Sequence, residues 1–271
     1  RPIYRCTMSW MNSISRLAAM ARPTGPSLSG FVRNTKAIRR AAHSFVLCAC
    51  LIAGPVMADA PARVVSINLC TDQLAMLLAG EGQLHSVSHI ARDRRVSAMA
   101  READRYVINH GMAEEIYLLQ PDLVLAGGFT PRATVEMLRR LGIPVAEFAP
   151  SNTMADVRAR IIRMGEVLHQ EGAARQMVEA FDAQLARLTT EVARRPRAIL
   201  YYANGYTAGN STLAGQILLA AGFANAAHET GYAAGRKLPL EVLAMAAPEA
   251  VITAEAYPGA SRSEAILDHP V

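Results

Sequence analysis

A unit made of a helical stretch, a proline and an apolar strand occurs twice in this chain. The first copy covers residues 114–125 (EEIYLLQPDLVL) and the second covers residues 241–252 (EVLAMAAPEAVI). In each copy a glutamate stands seven residues before the proline, and an acidic residue follows the proline directly. Upstream, the apolar segment 63–68 is echoed by the segment 197–204. Two matched segments in the same order predict a duplicated α/β unit, and therefore two similar lobes.

Short apolar runs alternate with amphipathic stretches on both sides of the centre of the chain. This alternation is typical of parallel α/β architecture. The predicted strands are 63–67, 84–88, 122–126, 143–148, 197–203 and 250–253, and the predicted helices outside the centre are 72–79, 134–141 and 213–221.

The centre of the chain is helical in pattern. Residues 155–169 are amphipathic, Gly172 interrupts the pattern, and residues 173–194 contain neither proline nor glycine before Pro196. A helix of that length would extend roughly 33 Å at ~1.5 Å per residue. We therefore predict an N-terminal lobe over 59–152, a helical segment over 153–195 with a rigid linker helix at 173–194, and a C-terminal lobe over 196–271.

The first 58 residues have the composition of an export signal. They carry eight basic residues and no acidic one. Four of these basic residues precede an apolar run at 45–53, and small side chains at Val56 and Ala58 suit a signal peptidase. The apolar run is too short to span a bilayer, which needs ~20 helical residues. We predict a leader over 1–58 that is cleaved after Ala58, and we expect no lipid anchor at Cys48 or Cys50.

Removal of this leader changes the charge and the cysteine content of the chain. The remaining residues carry 20 basic and 23 acidic side chains, for a net charge of −3. A nucleic-acid-binding protein would concentrate basic residues on its folded part, so we expect no nucleic-acid partner. Only Cys70 remains of the four cysteines, so no intrachain disulfide is available.

The motifs of the first lobe resemble those of one protein family. The segment 63–74 (RVVSINLCTDQL), the segment from Glu114 through 119–128 (LQPDLVLAGG) and the long helix are similar to periplasmic substrate-binding proteins of bacterial importers for iron–siderophores, haem and cobalamin. The likeness covers residues 61–256. It implies two Rossmann-like lobes bridged by a single long α-helix, with the ligand held in the cleft between the lobes.

The resemblance also implies a function. The protein would be a periplasmic, monomeric substrate-binding component rather than an enzyme, and it would have no resident cofactor. Its ligand would be a metal chelate such as a ferric siderophore, cobalamin or haem, delivered to an inner-membrane ABC permease and its ATPase. Members of the family usually continue past Asp268 with a further strand and helix, so we expect a truncated, incomplete C-terminal lobe.

Ligands of parallel sheets bind outside the carboxyl ends of the strands, which places the candidate residues in the loops there. Aromatic side chains in these loops suit a large planar ligand, and arginines suit an anionic one. The candidates are Asn68, Cys70, Arg92, His110, Phe129, Arg132, Tyr206, Asn210, Tyr232, Arg236 and Tyr257.

Glu114 and Glu241 occupy the same place in the two copies of the repeat. In the family that the chain resembles, glutamates at this place contact arginines on the two permease subunits. The resemblance therefore implies a docking role for both residues.

Two alternatives belong to other classes. A zinc- or manganese-type solute-binding protein would need histidines and carboxylates from both lobes, and the chain has none of the usual closely spaced metal-binding motifs. An exported α/β enzyme using Cys70 would need a histidine and an orienting acid beside the thiol. We expect Cys70 to be a small buried thiol instead, and no nucleophile-elbow or phosphate-loop motif points to an enzyme.

Overall fold

The computed structural model describes residues 3–6, 59–188, 192–254, 259 and 261–268. The predicted cleavage site and most of the predicted leader lie outside the described residues. Residues 3–6 form strand β1 (Ile3–Cys6), which runs parallel to the last strand of the second lobe. Among the described residues, no helix combines the length and the apolar character needed to cross a membrane.

The first lobe is built on a five-stranded parallel sheet with the strand order β4-β3-β2-β5-β6. Its strands are β2 (Val64–Ser66), β3 (Leu84–Ser88), β4 (Val107–Asn109), β5 (Leu123–Gly127) and β6 (Val145–Phe148). Its helices are α1 (Leu69–Leu78), α2 (Ala113–Leu118) and α3 (Arg132–Arg140), with 3₁₀ turns at His89–Arg92 and Glu102–Arg105.

Both faces of this sheet are buried. Val64 and Leu125 belong to a core on one face, and their neighbours Val65 and Val124 belong to a second core on the other face. Successive strand residues point to opposite faces, so strands covered on both sides read as continuous apolar runs. This is why the apolar runs predicted β2, β3 and β5 to within one residue at each end, whereas β4 was not predicted. The parallel sheet confirms the predicted α/β class.

Two antiparallel helices follow the first lobe. They are α4 (Met154–Leu168) and α5 (Glu171–Leu188). Helix α4 packs its residues Met164 and Leu168 into the first-lobe core, and Gly165 lets α5 approach closely at Ala174. The backbone N–H of Met154 donates to Gln216 Oε1 of the second lobe at 2.8 Å. The start of α4 therefore lies at the second lobe, and α5 returns the chain from the first lobe.

The predicted bounds of the linker helix, 173–194, are wrong at both ends. The helix begins at Glu171 and includes Gly172 in its first turn, where a glycine interrupts a helix less than it would in the interior. Its described part ends at Leu188, and residues 192–195 are not helical. Arg194 instead forms an ion pair with Glu249 of the second lobe. At ~1.5 Å per residue, the described helix extends about 27 Å.

The second lobe contains a parallel sheet with the order β1-β11-β7-β9 and an antiparallel ribbon of β8 and β10. Its strands are β7 (Arg197–Leu200), β8 (Tyr206–Thr207), β9 (Ala224–Asn225), β10 (Arg236–Lys237) and β11 (Ala250–Ala254). Its helices are α6 (Leu213–Ala220), α7 (Ala226–Glu229) and α8 (Leu240–Ala246), with 3₁₀ turns at Ala203–Gly205 and Ala265–Asp268. The expected truncation of this lobe stays a prediction.

The internal repeat is confirmed at the level of single hydrogen bonds. The carboxylate of Asp122 accepts the backbone N–H of Arg63, and the carboxylate of Glu249 accepts the backbone N–H of Arg197, each at 3.0 Å. The acidic residue after each proline thus joins the start of one strand to its neighbour, β2 to β5 in the first lobe and β7 to β11 in the second. The chain is therefore a two-lobed α/β protein with a duplicated strand–helix–strand unit.

Candidate functional site

Four loops of the first lobe leave the sheet at the carboxyl ends of adjacent strands. Asn68 follows β2, His89 follows β3, His110 follows β4 and Phe129 follows β5. The carboxyl ends of parallel strands meet at one edge of a sheet, so these four side chains belong to one surface. This edge is the first-lobe wall of the candidate site.

At this edge Asn68 is the N-cap residue of helix α1. Its side-chain oxygen accepts the backbone N–H of Cys70 at 3.0 Å and so caps the N-terminus of α1. A Cβ atom at Gly127 would lie 2.5 Å from Asn68 Cγ, so only glycine at that position leaves room for the cap. The Asn68 side chain thus fixes where α1 begins against β5.

His89 and His110 form a stacked pair. Their ring centroids are 5.2 Å apart with an interplanar angle of 23°. His110 Nδ1 lies 3.2 Å from Glu115 Oε1, and the backbone N–H of His110 donates to Glu115 Oε2 at 2.7 Å. The sequence analysis selected His110 but not His89, because the stack exists only when β3 and β4 are neighbours.

A buried polar network supports this edge from below. Asp72 accepts the hydroxyl of Ser88 at 2.5 Å and its backbone N–H at 3.2 Å. Asn109 donates from Nδ2 to the Ser66 carbonyl oxygen at 2.9 Å and to Ser86 Oγ at 2.8 Å. Burial raises the pKa of Asp72 from 3.8 to about 6, against the hydrogen bonds from serines that lower it. The network fixes Ser88 and Asn109, the residues that directly precede His89 and His110.

The remaining first-lobe candidates lie at the surface. Arg92 Nε is 3.2 Å from Asp104 Oδ1, and Arg132 Nε is 3.1 Å from Glu136 Oε1. Phe129 is 85% exposed. The two arginines are held in exposed ion pairs of small net worth, so both are available to an anionic ligand at little cost.

Cys70 is exposed, and the expectation of a buried thiol is wrong. It stands in the first turn of α1, where the neighbouring Thr71 and Asp72 point into the core and leave Cys70 on the outer face. No hydrogen bond, histidine partner or orienting acid for a cysteine nucleophile is present among the described contacts of the Cys70 side chain.

The structure brings three second-lobe candidates together on the β8–β10 ribbon and its approach. Tyr206 pairs in register with Lys237, whose Nζ lies 6.0 Å from the Tyr206 ring centroid. The guanidinium carbon of Arg236 lies 4.3 Å from the centroid of the Tyr232 ring. Each tyrosine ring thus carries a cation on its face. Lys237 was missed by the sequence analysis, because only the ribbon register places it beside Tyr206.

Asn210 lies in a loop that packs against the Tyr232 segment, since the backbone N–H of the next residue, Ser211, donates to the Ala233 carbonyl oxygen at 3.0 Å. Asn210 also lines an open concavity of about 560 Å³ beside α6 and β9, whose wall includes Phe223, Asn225 and His228. Its Oδ1 is buried without a hydrogen-bond partner. Tyr257, the remaining candidate, lies outside the described residues.

The two repeated glutamates occupy equivalent exposed positions. Glu114 is in the first turn of α2 and Glu241 is in the first turn of α8. One helical turn later, each helix exposes a large apolar side chain, Leu118 at 78% and Met245 at 83%. Each lobe therefore presents a carboxylate and an apolar side chain at i and i+4, on one helix face.

The part of the chain that the structure describes holds no group of three or more histidine, cysteine or carboxylate side chains arranged to bind a metal ion.

The fold and the edge residues define a two-lobed α/β protein with aromatic, imidazole and cationic side chains at the carboxyl ends of its strands. The chain belongs to the periplasmic binding protein family, whose model matches residues 64–270.

Relatives and solved structures agree with this assignment. The chain is 27% identical over 203 residues to cobalamin-binding proteins of two Halobacterium salinarum strains, covering 71% of this chain. It spans about half, 54%, of the length of those relatives. The fold is similar to the periplasmic haem-binding protein RhuT of Roseiflexus, with a TM-score of 0.58 and 23% identity over 70% of this chain and 75% of that one. It is also similar to the periplasmic vitamin B12-binding protein BtuF of Vibrio cholerae, with a TM-score of 0.53 and 19% identity over 78% and 80% of the two chains.

Proposed function

We propose that this protein is the exported substrate-binding component of an ABC importer. In this proposal it captures a ferric siderophore, a cobalamin-type corrinoid or haem in the cleft between its lobes. The observation that carries the proposal is the pair of tyrosine–cation contacts, Tyr206 with Lys237 and Tyr232 with Arg236, on a lobe of a periplasmic binding protein.

The chemistry of these pairs suits such a chelate. Tyrosine rings offer flat apolar faces to a macrocycle, while Arg236 and Lys237 can pair with the carboxylate or other anionic groups that these ligands carry. Both cations are exposed, so a ligand reaches them without first breaking a buried ion pair. The named relatives bind cobalamin or haem, which supports the same ligand class.

The described residues favour a chelate over a bare ion. A bare zinc or manganese ion needs three or four converging protein ligands, and such a set is missing from the described part of the chain. A chelate supplies most of its own metal ligands. The zinc- or manganese-type alternative is therefore the weaker proposal, and the Cys70 enzyme is weaker still because the thiol has no described histidine or acid partner.

Docking to the permease is assigned to the duplicated helix faces. The carboxylates of Glu114 and Glu241 would meet arginines of the two permease subunits, and Leu118 and Met245 would pack beside those contacts. Charged pairs fix orientation and speed encounter, while exposed apolar side chains add contact area that water no longer covers. The leader over 1–58 would direct the protein to the periplasm.

The proposal is tested by titrating the full chain with haemin, cyanocobalamin and a ferric hydroxamate, following ligand absorbance. We expect one of them to bind without turnover, and Tyr232→Ala and Arg236→Ala each to weaken binding about tenfold, the loss of roughly 1.4 kcal/mol. Arg140→Ala is the matched control, because Arg140 is exposed in the last turn of α3. Binding of bare zinc alone would replace the proposal with the metal-ion alternative.

A further inference from the structure

Arg63 and Arg197 start the two repeated units, and the side chain of each binds the end of a helix. Arg63 Nε donates to the Leu119 carbonyl oxygen at 2.6 Å, and Arg197 Nη1 donates to the Ala247 carbonyl oxygen at 3.4 Å. Leu119 and Ala247 are the C-cap residues of α2 and α8. The last carbonyl groups of a helix have no partner within the helix, so each arginine supplies one. The duplication therefore extends to the way in which these two helices are held at their ends.

The second contact of the arginine differs between the lobes. Arg197 pairs with a carboxylate, since its Nη2 lies 2.7 Å from Glu229 Oε2. Arg63 instead donates from Nη2 to Nε2 of His85, on β3, at 2.8 Å. A guanidinium only donates hydrogen bonds, so this imidazole must be neutral, with its proton on Nδ1. The first-lobe contact therefore depends on the protonation state of a histidine.

The surroundings of His85 oppose a positive charge on its ring. Burial and the neighbouring Arg63 guanidinium both hold the pKa of His85 below its usual value. From β4, the first residue in register with β3 is the apolar Val107, and from α2 the Leu119 carbonyl group shares Arg63. Asp122, which precedes β5, binds the backbone N–H of Arg63. In the part of the chain that the structure describes, no carboxylate offsets the Arg63 charge at His85.

We infer that His85 is a positioning residue that makes the end of helix α2 sensitive to pH: acid loosens it, while the matching end of α8 stays held by Arg197. A proton on His85 Nε2 faces the donors of Arg63, so the hydrogen bond is lost and two cations lie side by side. The Arg63 side chain then moves away from the ring, and its contact with the Leu119 carbonyl group weakens. Glutamates ordinarily titrate near pH ~4.3, so the pair of Arg197 with Glu229 persists at pH ~5.

The sign of the effect follows from the lowered pKa of His85. The unfolded chain takes up a proton on this histidine as the pH falls below ~6.5, before the folded protein does. The contribution of the neutral ring to the stability of the helix end is therefore fully present above pH ~6.5. It is lost as the pH falls from there toward the lowered pKa.

Helix α2 connects this contact to the surface assigned to permease docking. The helix carries Glu114 in its first turn and the exposed Leu118 as its last residue. The first-lobe face then binds the permease less tightly at pH ~5 than at pH ~7.5, while the second-lobe face is unchanged. This consequence rests on the proposed function, whereas the loosening of α2 does not.

Hydrogen–deuterium exchange of the full chain at pH ~7.5 and ~5, corrected for the intrinsic exchange rates, tests the inference without a permease. The amides of Leu119 and Gln120 report on the end of α2, and the amide of Ala247 reports on the end of α8, because each donates to a carbonyl group of the preceding turn. In the wild type we expect the α2 amides to lose protection about two- to fivefold at pH ~5. This is the lower part of the range for one hydrogen bond, since the contact is exposed. The α8 amide should keep its protection.

Three variants separate His85 from the other titrating groups. His85→Gln keeps an acceptor for Arg63 and takes up no proton, so the pH dependence at the end of α2 should disappear. His85→Lys places a permanent cation there, so its exchange at pH ~7.5 should match that of the wild type at pH ~5. His228→Gln is the matched control, because His228 is exposed on α7 in the second lobe and should have no effect on α2.

Circular dichroism of each variant verifies that it folds. A wild-type α2 end with equal protection at both pH values would overturn the inference. So would an unchanged pH dependence in His85→Gln, or an equal loss of protection at the end of α8. Each of these results leaves the proposed function standing, which fails separately if the folded chain binds none of the chelates offered to it.

Discussion

At the scale of single residues, Asp72 makes stability depend on pH. Burial raises its pKa from 3.8 to about 6, so the folded protein keeps a proton that the unfolded chain has already released. The contribution of protonated Asp72 to the free energy of unfolding is therefore fully present below pH ~4 and is lost as the pH rises through about 6. We expect Asp72→Asn to remove this part of the pH dependence, measured by urea unfolding at several pH values between 4 and 7.

Asp93 provides the opposite case. The Arg95 guanidinium holds the pKa of this exposed carboxyl below its usual value, so its contribution is present at neutral pH and is lost on acidification. Asp93→Asn should therefore not alter the way the free energy of unfolding changes between pH 4 and 6. If Asp72→Asn unfolds with the same pH dependence as the wild type, Asp72 is not the group responsible.

Single residues also show how far the sequence predicts the site. The sequence placed His110 correctly at a strand end, because a polar residue after an apolar run is visible in one dimension. His89 was not selected from the sequence, because its partner His110 is 21 positions away and comes beside it only through the pairing of β3 with β4. Cys70 was assigned to the core because a cysteine is usually buried, whereas the N-cap at Asn68 sets the helix phase that turns it outward.

At the scale of elements, the α4–α5 hairpin depends on one close contact. A Cβ at Gly165 would lie 2.3 Å from the Cβ of Ala174, which is closer than two carbons can approach. We expect Gly165→Ala to lower the free energy of unfolding by about 1–3 kcal/mol through overpacking, despite the better helix propensity of alanine. Chemical denaturation of the full chain measures this change.

Gly172→Ala is the control within the same hairpin. No atom lies within 4 Å of a Cβ at that position, so alanine should be neutral or stabilise the protein by up to about 0.5 kcal/mol. Combining Gly165→Ala with Ala174→Gly should recover much of the lost stability. Equal effects of the two glycine substitutions would contradict the close contact between the helices.

Elements with a continuous apolar run could be predicted from sequence, and short ones could not. Strand β3 has the predicted bounds of 84–88, because all but one of its residues are buried. Strand β4 was not predicted, since it has three residues of which Val107 is exposed. The ribbon of β8 and β10 has two residues in each strand, and its pairing follows from the fold around it rather than from local pattern.

At the scale of the whole molecule, the duplicated helix faces should act together. Glu114→Ala combined with Glu241→Ala is expected to leave ligand affinity unchanged and to lower transport and transporter-stimulated ATP hydrolysis. Each exposed pair of one of these glutamates with a permease arginine should contribute on the order of 1 kcal/mol to the docking free energy. The affinity of the variant for the permease should fall further as the salt concentration rises. Reconstituted transport at two salt concentrations measures the effect.

Asp122 and Glu249, the acidic residues that follow the two prolines of the repeat, provide a control that separates a loss of docking from a loss of stability. Asp122→Ala removes the side-chain hydrogen bonds that Asp122 accepts from the backbone N–H of Arg63, just before β2, and leaves the backbone pairing of β2 with β5 in place. It should lower stability by about 1 kcal/mol without a specific effect on docking. The docking assignment fails if the double glutamate variant transports like the wild type at physiological salt, or if it loses ligand binding.

The predicted export signal can be tested by the position at which the leader is cleaved. Cleavage after Ala58 gives a mature N-terminus that reads Asp59-Ala60-Pro61, which N-terminal sequencing of exported protein detects. Exchanging Ala58 for a bulky residue should block processing, because signal peptidase requires a small side chain there. Exported protein that retains residues 33–58 would contradict the leader.

Cleavage of the leader would also remove strand β1, which affects the solubility of the processed protein. Residues 3–6 cover one edge of β11, with Ile3 opposite Val251 and Cys6 opposite Ala254. Their removal with the leader would leave the peptide groups of an uncharged, β-branched strand, Ala250–Ala254, open to pairing. Such an edge is a template for the strand of another chain, so the processed protein would need a substitute cover or would tend to associate through it.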